Sequence, residues 1–131
     1  ESRSHFMLWA MLAAPLMAGN DIREMDASTV KLLTHPGILG VSQDALGKQG
    51  QRILRTGKVD VWRRELSDGV AIGVLNRGRK PIELSIADGA LIHDSKALAA
   101  LPDDARDVWT GAPATGSWSL RPREMVLLRG T

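Results

Sequence analysis

Two hydrophobic rhythms divide the chain. Residues 6–19, Phe-Met-Leu-Trp-Ala-Met-Leu-Ala-Ala-Pro-Leu-Met-Ala-Gly, carry no charged side chain. Ala, Met, Leu and Trp predict a helix through Ala14, and Pro15 breaks it. Leu16-Met17-Ala18 is a short apolar run of the kind seen in buried parallel strands. Gly19-Asn20-Asp21 predicts a turn, with Asp21 or Asp26 as a cap for the next element. A second helix opens at Asp26 with apolar positions Val30, Leu32 and Leu33, and Pro36-Gly37 closes it. Ile38-Leu39-Gly40-Val41 predicts one more buried turn, and glycines 47 and 50 mark a loop. Residues 1–50 therefore read as helix, strand, helix: a piece of an α/β pattern.

From residue 51 the period changes to two. Val59 and Val61 share one face with Arg63, and Asp60, Trp62 and Arg64 share the other. Ser67-Asp68-Gly69 predicts a tight hairpin turn, because Asp-Gly supplies positive φ. Val70–Leu75 is the return strand, closed by Asn76-Arg77-Gly78. Ile82–Ile86 alternates cleanly after Pro81, Asp88-Gly89 predicts another turn, and Ala90–Ile92 another short strand. Lys96–Leu101 is expected as a helical turn or loop, and Asp104–Trp109 as a strand. Ser117–Leu120 and Met125–Leu128 complete seven or eight short strands, the pattern of an antiparallel sandwich.

Residues 6–19 also invite two other readings. A secretory signal would place its cleavage near Ala18, but Leu16 then occupies the −3 position that needs a small residue, and Glu1 is acidic. An amphipathic surface helix would need a polar face, and there is none. No stretch reaches about 18 apolar residues, so no membrane-spanning helix is expected.

Composition narrows the chemistry. The 131 residues hold no cysteine, which removes thiolate nucleophiles, Cys-ligated metals and disulfides. Seventeen basic and fifteen acidic residues give a net charge of +2, with no basic run longer than two. A nucleic-acid surface would gather such charges on one face, so no nucleic-acid partner is expected. Arg63-Arg64 and Arg77/Arg79/Lys80 read instead as solvated edges.

His5, His35 and His93 are too scattered to suggest a metal site, and His35 reads as a helix-end cap. His93-Asp94 lacks a Ser in a nucleophile-elbow context. Asp103, Asp104 and Asp107 read as turn acids. Met7, Met11 and Met17 read as core filler. Trp62, Trp109 and Trp118 suit either a sugar-stacking platform or sandwich packing, with packing favoured. Gly47-Lys48-Gln49-Gly50 is not a phosphate loop, and neither a metal nor a cofactor is expected.

Several segments in order resemble the melibiase-type α-galactosidases of glycoside hydrolase family twenty-seven. Arg3-Ser4-His5-Phe6 through Leu8-Trp9, Ala14-Pro15-Leu16 and Gly19-Asn20-Asp21 resemble that family's last barrel helix and strand. Ser42-Gln43-Asp44-Ala45-Leu46-Gly47-Lys48-Gln49-Gly50 is similar to the linker between its barrel and C-terminal domain, with Ala45 where Pro is common. Leu66-Ser67-Asp68-Gly69 through Asn76-Arg77-Gly78, Arg106–Gly111 and Met125–Arg129 resemble strands of the C-terminal domain. His35-Pro36-Gly37 and Gly40 depart from better helix formers and predict a short last helix.

The resemblance implies an α+β chain: the end of a (β/α)₈ barrel over residues 1–50, then an antiparallel β-sandwich over 51–131. It implies retaining hydrolysis of terminal α-galactosides by two aspartates from earlier barrel strands, so no residue of this chain inherits a catalytic role. Gly19, Asn20 and Asp21 would lie at the active-site rim as substrate-binding candidates. The implied partners are an α-galactoside in the full-length enzyme, and the remaining barrel or a second copy meeting residues 6–19. A non-catalytic carbohydrate-binding or structural sandwich is the alternative. Residues 51–131 are expected to form a protease-resistant core.

Overall fold

The alternating pattern after residue 50 resolves into two stacked sheets. A computed structural model describes Met7, Met11, residues 36–42 and residues 50–131. Its described elements are a short helix, α1 (Pro36–Ser42), and nine strands. They are β1 (Gln51–Thr56), β2 (Val59–Leu66), β3 (Gly69–Asn76), β4 (Ile82–Ala87) and β5 (Ala90–His93), followed by β6 (Lys96–Ala100), β7 (Arg106–Asp107), β8 (Ser117–Leu120) and β9 (Met125–Gly130). One sheet runs β1-β2-β3-β9-β7 and the other β6-β5-β4-β8, and every pairing is antiparallel. Met7 and Met11 are helical.

The core between the sheets comes from alternate positions. Val59 and Val61 of β2, Ile72 and Val74 of β3, and Val126 and Leu128 of β9 meet Leu84, Leu91, Leu98 and Leu120 of the second sheet. The other set of positions on the five-stranded sheet is buried too. Leu66, Ala71, Met125 and Leu127 form a second cluster with Val108, and Met7, Met11 and Val41 cover it. Burial on both faces explains why Val70–Leu75 is continuously apolar instead of alternating.

Asn76 anchors the passage from β3 into the second sheet. It is fully buried, and its Oδ1 accepts from Gly78 N at 2.9 Å. Its Nδ2 donates to the carbonyls of Lys80 at 2.8 Å and of Leu120 and Arg121 at 3.2 Å. Its backbone N–H and C=O pair with Glu124 O and Arg123 N. One amide thus satisfies both corners where the chain changes sheets.

Four local expectations change. Pro36-Gly37 does not close a helix but forms the first two residues of α1, where proline's missing N–H costs nothing. Lys96–Leu101 is neither helical turn nor loop: Lys96–Ala100 is strand β6, paired with β5. Its alanines favour helix, but the open edge of β5 outweighs that weak preference. Asp104–Trp109 contributes only the two-residue β7, because Asp107 Oδ1 accepts from the backbone N–H groups of Trp109 (2.8 Å) and Thr110 (3.2 Å) and turns the chain. Arg64 is not a solvated edge residue but 1% exposed.

The two Asp-Gly turns also differ. Asp88 and Gly89 both have positive φ, +53° and +72°, as a primed hairpin turn requires. At Gly69 the need is space: a Cβ there would lie 2.0 Å from the Gly130 carbonyl oxygen.

Candidate functional site

The outer face of the five-stranded sheet gathers the described residues with unusual surroundings. Strand register sets its rows. Trp62 pairs with Gly73 and Gly73 with Leu127; one row along, Arg64 pairs with Ala71, Ala71 with Arg129, and Arg129 with Arg106. Directly paired residues share a face, so arginines from three strands line up beside an apolar row. Gly69, Ala71 and Gly73 alternate along β3 on this face and leave a trough. A Cβ at Gly73 would lie 2.1 Å from Met125 Cε and 3.3 Å from Met11 Cε: the missing side chain is the seat of two methionines.

Arg64 lies in this row with its guanidinium donating to the carbonyl oxygen of Val41. Val41 is in the last turn of α1, where carbonyls lack intrahelical partners and the helix dipole favours a cation. Arg129 Nη2 donates to Asp68 Oδ1 at 2.8 Å, and its Nη1 lies 3.1 Å from where a Gly40 Cβ would be. The small residue lets α1 approach that side chain. The Trp62 indole N–H is buried without a hydrogen-bond partner among the described residues.

At the end of the same face, Asp60 is 2% exposed. Arg55 forks onto it, Nε to Oδ1 at 2.8 Å and Nη2 to Oδ2 at 3.0 Å, and Arg77 Nε lies 2.9 Å from Oδ1. Burial alone would push this carboxyl up. The Arg55 hydrogen bonds and the charges of Arg77 and Arg55 outweigh it and hold the group below the usual carboxylate range. Asp104 is also held low, by the hydroxyl (2.6 Å) and backbone N–H (2.9 Å) of Thr131.

Among the described residues, two cavities flank the face. One of about 480 Å³ lies beside α1 and is lined by Gly37, Asp68, Asp104, Arg106 and Arg129 among others. Another of about 200 Å³ is lined by Met7, Trp109, Trp118, Glu124 and Met125 among others.

The expected site residues fare unequally. Gly19, Asn20 and Asp21 lie outside the described residues, as do His5, His35 and Met17. Met7 and Met11 are buried core residues. Trp62 and Trp109 pack against the outer cluster and Trp118 against the inter-sheet core, so the three form no common platform, though Trp109 and Trp118 border one cavity. His93 Nδ1 lies 3.0 Å from the Glu83 carbonyl, and Asp94 is a positive-φ turn residue. Asp104 and Asp107 serve the chain's own turns and end. Among the described residues no group of three or more His, Cys, Asp or Glu could hold a metal, and no helix is long and apolar enough to cross a membrane. Sequence pattern missed Arg64, because a charged residue alternating with apolar ones looks the same on a buried face as on an edge.

This geometry defines a two-sheet antiparallel β-sandwich that carries helical residues on one outer face. Residues 56–129 match the model of the alpha galactosidase C-terminal beta sandwich domain, and the chain belongs to that family. It is 39% identical over 112 residues to an alpha-galactosidase of Cyamopsis tetragonoloba, covering 83% of this chain and 26% of that protein. The fold superposes with a TM-score of 0.77 and 33% identity on a candidate alpha-galactosidase/melibiase from Bacteroides fragilis, over 98% of this chain and 28% of that one. Alpha-galactosidase I from Mortierella vinacea shares the fold at a TM-score of 0.74 and 18% identity, over 97% of this chain and 34% of that one. The chain spans about a quarter of the length of the curated relatives it matches.

Proposed function

We propose that this chain is the C-terminal part of an α-galactosidase-like retaining glycoside hydrolase acting on terminal α-galactosides. In this reading residues 1–50 end the catalytic (β/α)₈ barrel and residues 51–131 form its sandwich. The observation that carries it is the Bacteroides fragilis likeness, which runs over 98% of the chain at 33% identity and so extends beyond the sandwich match at 56–129. Residues 15–18 would be the last barrel strand, with Gly19, Asn20 and Asp21 at the rim where such enzymes bind substrate.

The partners of five described acids support a non-catalytic role for the sandwich. Retaining hydrolysis needs two carboxyl groups about 5–5.5 Å apart flanking one glycosidic bond. Asp60 is clamped by Arg55 and Arg77, Asp68 is paired with Arg129 and Glu124 with Arg121. Asp104 and Asp107 hold backbone groups. Each is committed to structure, and the hydrolytic pair is assigned to barrel strands preceding this segment.

The test is hydrolysis of an aryl α-galactoside. The 131-residue chain alone is expected to release no aglycone, and a protein extended by the coding sequence upstream of Glu1 is expected to release it with retention. Turnover by the 131-residue chain would overturn the assignment, as would an extended protein active only on a different glycoside.

A further inference from the structure

Basic residues scattered along the sequence are collected by the topology. Antiparallel pairing sends the connections 57–58, 77–81, 94–95 and 121–124 to one end of the sandwich, and 67–68, 88–89 and 101–105 to the other. The first group carries Lys58, Arg77, Arg79, Lys80, Arg121 and Arg123 against the acids Asp94 and Glu124. The second carries Asp68, Asp88, Asp103 and Asp104 and no base. A net charge of +2 therefore hides opposite poles.

The basic pole is the stronger. At the acidic end Arg129 donates to Asp68 at 2.8 Å, and Arg106 lines the same cavity as Asp104. At the basic end Asp60 is already clamped by Arg55 and Arg77, and Glu124 by Arg121. Exposed Lys58, Arg79 and Lys80 have no acidic partner among the described residues. Their backbone is tied together. Arg77 N donates to Lys58 O at 2.7 Å, and its Nη2 to Gly57 O at 2.9 Å. Asn76 binds the carbonyls of Lys80 and Arg121 and the N–H of Arg123. Three loops thus hold like charges side by side, a repulsion that a bound polyanion relieves.

The same loops select among polyanions. Residues 57–58, 77–81 and 121–124 include no aromatic ring on which an unpaired base could stack. Their only apolar side chains are Pro81 and Pro122, which leaves nothing to insert into a membrane. Bare lysine and arginine suit carboxylates. We infer that this end of the sandwich docks on an acidic polysaccharide, with Lys58, Arg79 and Lys80 meeting its uronate carboxylates. The choice of a sugar polymer rests on the proposed function, since terminal α-galactosides are carried on glycans; the basic pole itself does not. Docking of this kind raises the local concentration of substrate without touching the reacting bond.

The test is affinity electrophoresis of the 131-residue chain through gels containing polygalacturonate. The parent should be retarded, and salt of about 1 M, which shrinks the Debye length to about 3 Å, should release it. Neutral galactomannan should not retard it. Arg79→Gln with Lys80→Gln should weaken binding about tenfold and keep the parent's urea midpoint. Should that midpoint fall, Lys58→Gln decides, and it should weaken binding too. Asp88→Asn with Asp103→Asn raises the net charge at the opposite end and should leave binding unchanged; tighter binding would mean that overall charge, not this pole, holds the polymer. An unretarded parent, or basic-end variants that bind like the parent, would overturn the docking. Tighter binding to duplex DNA or to anionic phospholipid vesicles would overturn the choice of partner. An upstream-extended protein that hydrolyses an aryl α-galactoside yet ignores polygalacturonate would sink the docking alone. One that binds the polymer without that activity would sink the functional assignment and leave the docking standing.

Discussion

Asp60 and Asn76 are the two buried polar residues on which the five-stranded sheet depends at one end. Asp60 is charged because two arginines outweigh its burial. Its folded pKa lies below the unfolded value of about 3.9, so its contribution to stability is complete above that value and fades as pH falls toward the folded pKa. Urea midpoints should therefore drop on acidification below about pH 4, and Asp60→Asn should be flatter there while losing about 2 kcal/mol at pH 7. Asn76 gives the opposite sign. Asn76→Asp places a carboxylate against the carbonyls of Lys80, Leu120 and Arg121. That variant should be less stable than the parent by about 3 kcal/mol at neutral pH, and its deficit should shrink in acid as the carboxyl protonates. Neither role is visible in the sequence, where Asp60 sits in an alternating strand and Asn76 reads as the first residue of a turn.

At the level of elements, strands declare themselves where branched side chains alternate across one buried face, as in Ile82–Ile86, and where a continuous apolar run meets burial on both, as in β3. They stay hidden where pairing alone makes them. β6 is Lys-Ala-Leu-Ala-Ala, a helix-favouring string recruited by a neighbour, and β7 is cut short by the Asp107 turn. β1 is hard to discern because its pattern is broken between Arg52 and Leu54 by a register shift, which leaves Ile53 46% exposed. Turn glycines allow a direct comparison. Gly89 has φ +72° with nothing near a prospective Cβ, so Gly89→Ala should cost about 1 kcal/mol of conformational strain alone. Gly69→Ala must displace the Gly130 backbone and should cost about 3 kcal/mol. Equilibrium denaturation separates the two, and equal costs would contradict the assigned difference between turns.

For the whole molecule, the sequence marks the change of rhythm near residue 50 but not that the described parts meet across it. Apolar content at residues 6–19 looks like surface awaiting a barrel. Met7 and Met11 lie against the sandwich, a contact invisible to periodicity because it joins residues more than 50 positions apart. Removing residues 1–49 should therefore leave the inter-sheet core intact while exposing Trp62, Met125 and Leu127. The truncated chain should keep its sheet signal, bind a hydrophobic dye several-fold more strongly than the parent, and aggregate at lower concentration. A truncated chain as dye-silent as the parent would show that the outer face needs no cover. The candidate rim at residues 19–21 comes from resemblance alone, since three small or polar residues after an apolar run fit any turn.

Gly50, where the two rhythms meet, has a practical consequence for recombination. A Cβ there would lie 2.0 Å from the Met11 carbonyl oxygen, so the backbone at the junction is wedged against an earlier segment, unlike a free tether. Domain exchange between related enzymes would naturally cut at such a composition change. Here a cut at residue 50 would hand the sandwich a foreign Met11 and a foreign last turn for Arg64 to hold. Chimeras joined upstream of Phe6 keep lock and key from one parent and should express as folded protein. Those joined at Gly50 should keep the inter-sheet core but leave the outer face open to a hydrophobic dye unless the donor's helical residues match this face.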